Sequence, residues 1–132
     1  MSTDIPALLR ATKTIAVVGL SSNPTRASHG VSRYMQRQGY RIIPVNPQET
    51  EVLGEKAYAR LEDVPEPVDM VNIFRLPQYV PPIVDSAIAI GAKSIWMQLG
   101  IRHDEAAAKA ENAGLEVVMD KCLMVERMGI DY

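Results

Sequence analysis

Cysteine occurs once in the 132 residues, at position 122. A single thiol excludes an intramolecular disulfide and a cysteine-based zinc site. The two histidines and the scattered carboxylates show no metal-ligand spacing such as His-x-x-x-His, and no Ser-His-Asp set stands out. Positive charge is not in excess either. The formal net charge is -2, which argues against nucleic acid as the main partner, because such proteins usually carry a basic face. No apolar run approaches the roughly 20 residues of a membrane span. The first residues, with Asp4, Pro6 and Arg10, lack the apolar stretch of a signal peptide. The expectation is a cytoplasmic protein. Internal repeats, low-complexity tracts and long linkers are all missing. What remains is an ordinary globular composition, 47% apolar and 23% charged, expected to fold as one domain over residues 1–132.

The chain centres on residues 14–26, Thr-Ile-Ala-Val-Val-Gly-Leu-Ser-Ser-Asn-Pro-Thr-Arg. An apolar run from Ile15 to Val18 stops at Gly19, a small polar loop follows, and a helical pattern starts near Ala27. A buried strand, a glycine and a helix start are the opening of nucleotide-binding α/β domains. There the amide hydrogens of the helix start point at a phosphate, and the helix dipole favours its charge.

Residues 4–11 read as a short packing helix, with Asp4 as its cap and Pro6 in its first turn. The strand 13–19 is apolar without alternation, so both its faces are expected to be buried. Ala27, Val31, Tyr34 and Met35 recur at helical spacing, and Gly39 ends that helix. Residues 40–45 form a second strand, closed by the turn Asn46-Pro47. A short third strand is expected around Lys56–Tyr58, and 61–67 is largely loop. Val68 to Phe74 is a strand, broken by Arg75-Leu76-Pro77. The next helix starts near Pro81 and Pro82, which are tolerated only in a first turn. Lys93 to Met97 is a strand. An alanine-rich helix begins at His103 or Asp104 and stops at Gly114. Leu115 to Met119 is the last strand, and Asp120 is expected to cap a final helix over Lys121 to Met128.

Strands that alternate with helices and are too apolar to face water imply an α/β fold. It is Rossmann-like and doubly wound, with a mainly parallel five- or six-stranded sheet and helices on both faces. Right-handed crossovers suggest the strand order 3-2-1-4-5. Ligands in such sheets bind beyond the carboxyl ends of the strands. This places the loops at 19–26, 45–47, 74–77 and 97–100 around one cleft.

The first loop departs from Gly-x-Gly-x-x-Gly, keeping only Gly19. Ser21, Ser22, Asn23, Thr25 and Arg26 stand in for the other glycines. They offer hydrogen-bond donors and a fixed positive charge suited to phosphate. Arg26 sits where the helix dipole disfavours a cation, and a bound anion would resolve the conflict. A helix cap at Thr25 or Ser28 in a solvated turn is the alternative. His29 reads as a helix-surface residue. No acidic residue ends the second strand to take ribose hydroxyls, since Glu49 comes only after the turn. This lowers the nicotinamide reading and leaves Val45, Asn46 and Pro47 as a turn able to rest against an adenine ring. Arg75 meets a phosphate or a carboxylate, or is a plain surface arginine. One of Trp96 and Met97 is expected in the core, because they point to opposite faces. Gln98 can hydrogen-bond a ligand. Cys122 is either acidified near a helix start or a small buried residue.

Ala16-Val17-Val18-Gly19-Leu20-Ser21, Asn23-Pro24, Arg26 and Ser28, then Gly39 to Pro47, resemble the small stand-alone CoA-binding proteins. Leu53-Gly54, Val68-Asp69, Trp96 to Gly100 and Val118 to Cys122 continue the match across roughly residues 5–128. The pattern is also similar to the CoA-binding domain of the succinyl-CoA synthetase alpha subunit and of NDP-forming acyl-CoA synthetases. The resemblance implies CoA as ligand, with its pyrophosphate near Gly19, Ser21, Ser22, Asn23, Thr25 and Arg26. It implies the adenine near Val45, Asn46 and Pro47. Phe74, Arg75, Met97, Gln98 and Leu99 would line the path of the pantetheine arm. The synthetases add a phosphorylatable histidine in a further domain and a separate nucleotide-binding part, and neither is expected here.

The expected function is therefore binding of CoA or a short acyl-CoA without catalytic machinery of its own. The alternatives are a small NAD(P)-binding oxidoreductase or a CoA-dependent transferase. A homo-oligomer or a protein partner is a third possibility. No nucleic acid, membrane or metal is expected.

Overall fold

The computed structural model describes residues 3–130. Five parallel strands form the sheet: β1 (Thr14–Val18), β2 (Arg41–Val45), β5 (Met70–Ile73), β6 (Ser94–Met97) and β7 (Glu116–Val118). Their order is β2-β1-β5-β6-β7. β3 (Glu51–Val52) and β4 (Glu55–Lys56) form a separate antiparallel pair. The third strand expected at Lys56–Tyr58 shrinks to one parallel bridge between Tyr58 and Val45. The order 3-2-1-4-5 survives, with the outermost strand reduced to that single residue. A tight turn at Leu53 and Gly54, both at positive φ, diverts the chain into the hairpin instead.

Both sheet faces are covered, which explains why Ile15 to Val18 in β1 are apolar on successive residues and why all four residues of β5 are buried, Asn72 among them. The helices α1 (Ile5–Ala11), α2 (Ala27–Arg37) and α5 (Leu123–Met128) lie on one face, with Leu9, Met35 and Leu123 packed on Ile15, Val17 and Met70. The helices α3 (Val80–Ala89) and α4 (Asp104–Asn112) cover the other, with Val84, Ala87 and Ala110 packed on Ala16, Val71 and Ile95. Trp96 and Met97 do point to opposite faces, but each is fully buried. A sheet covered on both sides has no solvent face, so both residues belong to the core.

Two expectations at helix ends need correction. Ala27 is exposed, and Ser28 and Ser32 take the buried stripe of α2 beside Val31 and Met35. Asp120 does not cap α5. Its backbone sits at φ +58, and its carboxylate accepts a hydrogen bond from the Gly100 amide at 2.7 Å. The helix starts at Leu123, whose amide donates to Oε1 of Gln98 at 3.0 Å. Elsewhere the local chemistry holds: the Asp4 side chain caps α1, and two prolines open α3 after a 3-10 turn at Pro77–Tyr79.

The strand register decides where the loops emerge. Val18 lies opposite Val45 and Ile73, and Ile73 opposite Met97. Gly19, Asn46, Phe74 and Gln98 therefore leave the sheet at one level. At the other end, the Asp69 carboxylate accepts hydrogen bonds from the amides of Lys13 and Thr14 at 2.9 and 3.0 Å. This ties the entry of β1 to that of β5.

Candidate functional site

Gly19 is required by geometry. Its φ is +91, and an added Cβ would stand 2.6 Å from the Phe74 carbonyl oxygen. Only a glycine lets the β1 and β5 loops approach this closely. The Gly19 amide donates to the Val45 carbonyl at 2.9 Å, and Asn46 Nδ2 donates to the Leu20 carbonyl at 3.0 Å. The loops after β1 and β2 are thereby fastened together. The Asn46 Oδ1 accepts from the Gln48 amide, so both ends of that side chain bond to backbone.

The polar residues of the first loop mostly hold its shape. The Asn23 amide donates to Ser21 Oγ, and Asn23 Oδ1 accepts from the amide and hydroxyl of Thr25. The Ser21 amide donates to the buried Ser28 Oγ at 3.1 Å. Arg26 occupies the N-cap position of α2 without a side-chain cap bond. The His29 and Gly30 amides bond to the Arg26 carbonyl, so the amides of α2 without a helix partner are those of Ala27 and Ser28, beside the loop. Gly19, Ser21, Arg26, Ala27, Ser28 and Phe74 line one cavity of about 330 Å³ there. A concavity with helix amides, hydroxyls and a guanidinium has the chemistry that suits an anion.

Two further concavities adjoin the carboxyl ends of the strands. Phe74 also borders a cleft of about 480 Å³ with Arg75, Leu76, Tyr79 and Leu99. The Arg75 guanidinium lies over the Tyr79 ring, 4.9 Å from its centroid. On the other side a slot of about 290 Å³ is lined by Val18, Val45, Leu61 and Ile83, with Glu62 and Ser86 among its polar groups. The Ser86 hydroxyl donates to Glu62 at 2.7 Å. That bond holds the Glu62 carboxyl below the usual carboxylate range, and the residue stays ionised at neutral pH.

The structure thus brings Gly19, Ser21, Arg26 and Phe74 around one cavity, Phe74, Arg75 and Leu99 around the next, and Val45 into the third. Ser22, Asn23, Thr25, Asn46, Pro47, Met97 and Gln98 are not among the residues lining these three. Met97 is in the core, and Gln98, 4% exposed, receives the α5 amide. Cys122 is the half-buried N-cap residue of α5. His103 caps α4 through Nδ1, which accepts from the Ala106 amide at 3.1 Å. Among the described residues, no group of three or more His, Cys, Asp or Glu is arranged to hold a metal ion. No helix among them is long and apolar enough to cross a membrane.

Glu49 is set aside at the level of sequence because it lies after the turn. The turn after β2 folds back, the Glu49 amide bonding to the Asn46 carbonyl, and delivers the carboxylate to the Ser22 amide at 2.8 Å. An acidic group does therefore stand beside the first loop. The spacing of three residues past Asn46 was the available signal. A fourth cavity of about 350 Å³, with Arg10, Lys13, Arg41 and Arg127 in its wall, lies at the opposite end of the sheet. The carboxyl ends of α1 and α2 lie there, and their dipoles attract such cations without any ligand.

Comparison with known proteins identifies the family. The family model of the CoA binding domain matches residues 13–128. An uncharacterized Bacillus subtilis protein, YneT, is 42% identical over 122 residues, covering 92% of this chain and 90% of that protein. The alpha subunit of ADP-forming acetate–CoA ligase II from Pyrococcus furiosus is 38% identical over 60 residues, 45% of this chain and 13% of the subunit. A solved Thermus thermophilus structure, described as cell-free ID.343, superposes with a TM-score of 0.91 at 42% identity, covering 95% of each chain. With the match running from the entry of β1 to the end of α5, the chain belongs to the CoA-binding domain family.

Proposed function

We propose that the protein is a single binding domain that holds CoA or an acyl-CoA at the carboxyl ends of its strands, without catalytic machinery of its own. The observation that carries this reading is the anion cavity at the start of α2, where Gly19, Ser21, Ser28 and Arg26 converge. A pyrophosphate there meets helix amides, hydroxyls and a guanidinium, which are its preferred partners. The slot between Val45 and Ile83 suits the adenine ring. Its aliphatic walls cover the ring faces, and the ionised Glu62 accepts from an exocyclic amine. The pantetheine arm would run past Phe74, which borders both the anion cavity and the cleft beyond it, and bring its thiol end to that cleft. The residues lining that cleft include no histidine, cysteine, lysine or carboxylate, which supports holding rather than turnover.

Calorimetric titration with CoA tests the proposal. Saturable binding at micromolar to low millimolar CoA is the expected result, and no heat up to millimolar CoA overturns it. A dinucleotide reading has one observation in its favour, the Glu49 carboxylate beside the loop, where such folds place an acid for ribose hydroxyls. NADH fluorescence titration separates the two: saturation with NADH and none with CoA reverses the ranking.

A further inference from the structure

We propose that the cleft beside the anion cavity receives the apolar acyl chain of an acyl-CoA, so that the loaded thioester, and not free CoA, is the preferred ligand. This rests on the CoA reading above and adds the class of acyl group. Three large apolar side chains stand in solvent at this one place: Leu99 at 70%, Leu76 at 61% and Tyr79 at 45% exposure. Together with Phe74 and Ile101 they wall a cleft of about 480 Å³. Leaving that much apolar surface wet is unfavourable, and clustering it marks a binding surface.

Position decides the occupant. β5 and β6 are adjacent and parallel, so the loops that follow them open on the same edge as the anion cavity. Phe74 lines both concavities. Arg75 spans them, its Cδ packed toward Gly19 and its guanidinium over Tyr79. A molecule with anionic groups at one end and an apolar tail at the other fits this continuous path. The lining of the cleft also carries no hydroxyl other than the Tyr79 phenol and no thiol, imidazole, amine or carboxylate. A thioester lying there meets no activated nucleophile and no general base. It is sheltered, and its chain is what the cleft can read.

The experiment is calorimetry of the full chain with CoA, acetyl-CoA, butyryl-CoA and hexanoyl-CoA. Full coverage of a methylene tightens binding about fourfold, and coverage on one side about twofold. Affinity is therefore expected to rise at least tenfold from acetyl-CoA to hexanoyl-CoA. In Leu76→Ser, an exposed position whose folding is checked by circular dichroism, the hexanoyl-CoA affinity falls several-fold more than the CoA affinity. CoA binding with a flat acyl series overturns this inference and leaves the CoA reading standing. Failure of every member of the series to bind overturns the CoA reading itself. Sedimentation at rising protein concentration covers the remaining occupant: if the cleft is closed by a second copy, self-association appears, the acyl series is flat, and the inference falls.

Discussion

The backbone amide of Ser22 donates a hydrogen bond to Oε2 of Glu49 across 2.8 Å. The loop proposed to hold the pyrophosphate therefore already faces a carboxylate, supplied by the turn after β2. Glu49→Gln removes that charge from beside the phosphate loop. CoA affinity is expected to rise by about twofold to fivefold, the scale of one exposed charge–charge contact. NADH affinity, if there is any, falls in the same variant, because a carboxylate accepts from ribose hydroxyls better than an amide does. Paired titrations check this, and weaker CoA binding by Glu49→Gln would refute the clash of charges.

Arg26 opens α2 without a cap bond and lines the cavity proposed for the pyrophosphate. Arg26→Ala is expected to lose about 1.5–3 kcal/mol of CoA binding, the range of a hydrogen bond to a charged group. The loss should shrink at high salt, as screening weakens the contact. Calorimetry at two ionic strengths measures both, and unchanged affinity removes Arg26 from the site.

Gly19→Ala meets the Phe74 carbonyl and an unfavourable φ together. A non-glycine residue held at positive φ costs about 1–3 kcal/mol, and the clash adds to it. Chemical denaturation should show that loss, and CoA binding should weaken as Phe74 is displaced. A variant as stable as the parent would show that the loops are not held at this spacing.

Gln98→Ala leaves the Leu123 amide without its acceptor in a buried setting. The expected cost is about 1–3 kcal/mol of stability. Hydrogen–deuterium exchange should rise first in α5, and unchanged exchange there would deny Gln98 its capping role.

Asp69 gives the fold an acid limb. Burial pushes its carboxyl up, but the Thr14 and Lys13 amides, aided by the Lys93 ammonium at 3.5 Å, outweigh this and hold it below the usual carboxylate value. The unfolded chain therefore binds the proton more readily. The contribution is complete above the unfolded-chain value of about 3.9 and is lost as pH falls through the lower folded-state value. Asp69→Asn is expected to be less stable at pH 7 and to show a shallower acid limb in urea titrations. Parallel curves for parent and variant would contradict the assignment.

The parallel sheet and the position of the first loop were readable from residue order. Ile15 to Val18 is apolar on successive residues because both faces of β1 are covered, and Gly19 follows because the chain must turn at positive φ. Asp4, Gly39 and the prolines in the first turn of α3 mark their boundaries through chemistry that acts within one turn of backbone. The family pattern rests on these same local signals, which is why it was visible without coordinates.

Contacts across loops were not readable. Asp120 looked like a cap, yet Gln98, 25 residues before Leu123, supplies the acceptor. Ser21, Asn23 and Thr25 looked like ligand donors, yet much of their hydrogen bonding is spent within the loop. Glu49 looked remote from the loop, yet it reaches Ser22 across 27 positions. Strand periodicity and turn chemistry depend on neighbours along the chain, so the sequence carried the architecture and the place of the cleft. Which polar groups face that cleft, and which are consumed in holding it, depends on register and loop packing, and only the folded arrangement decides that.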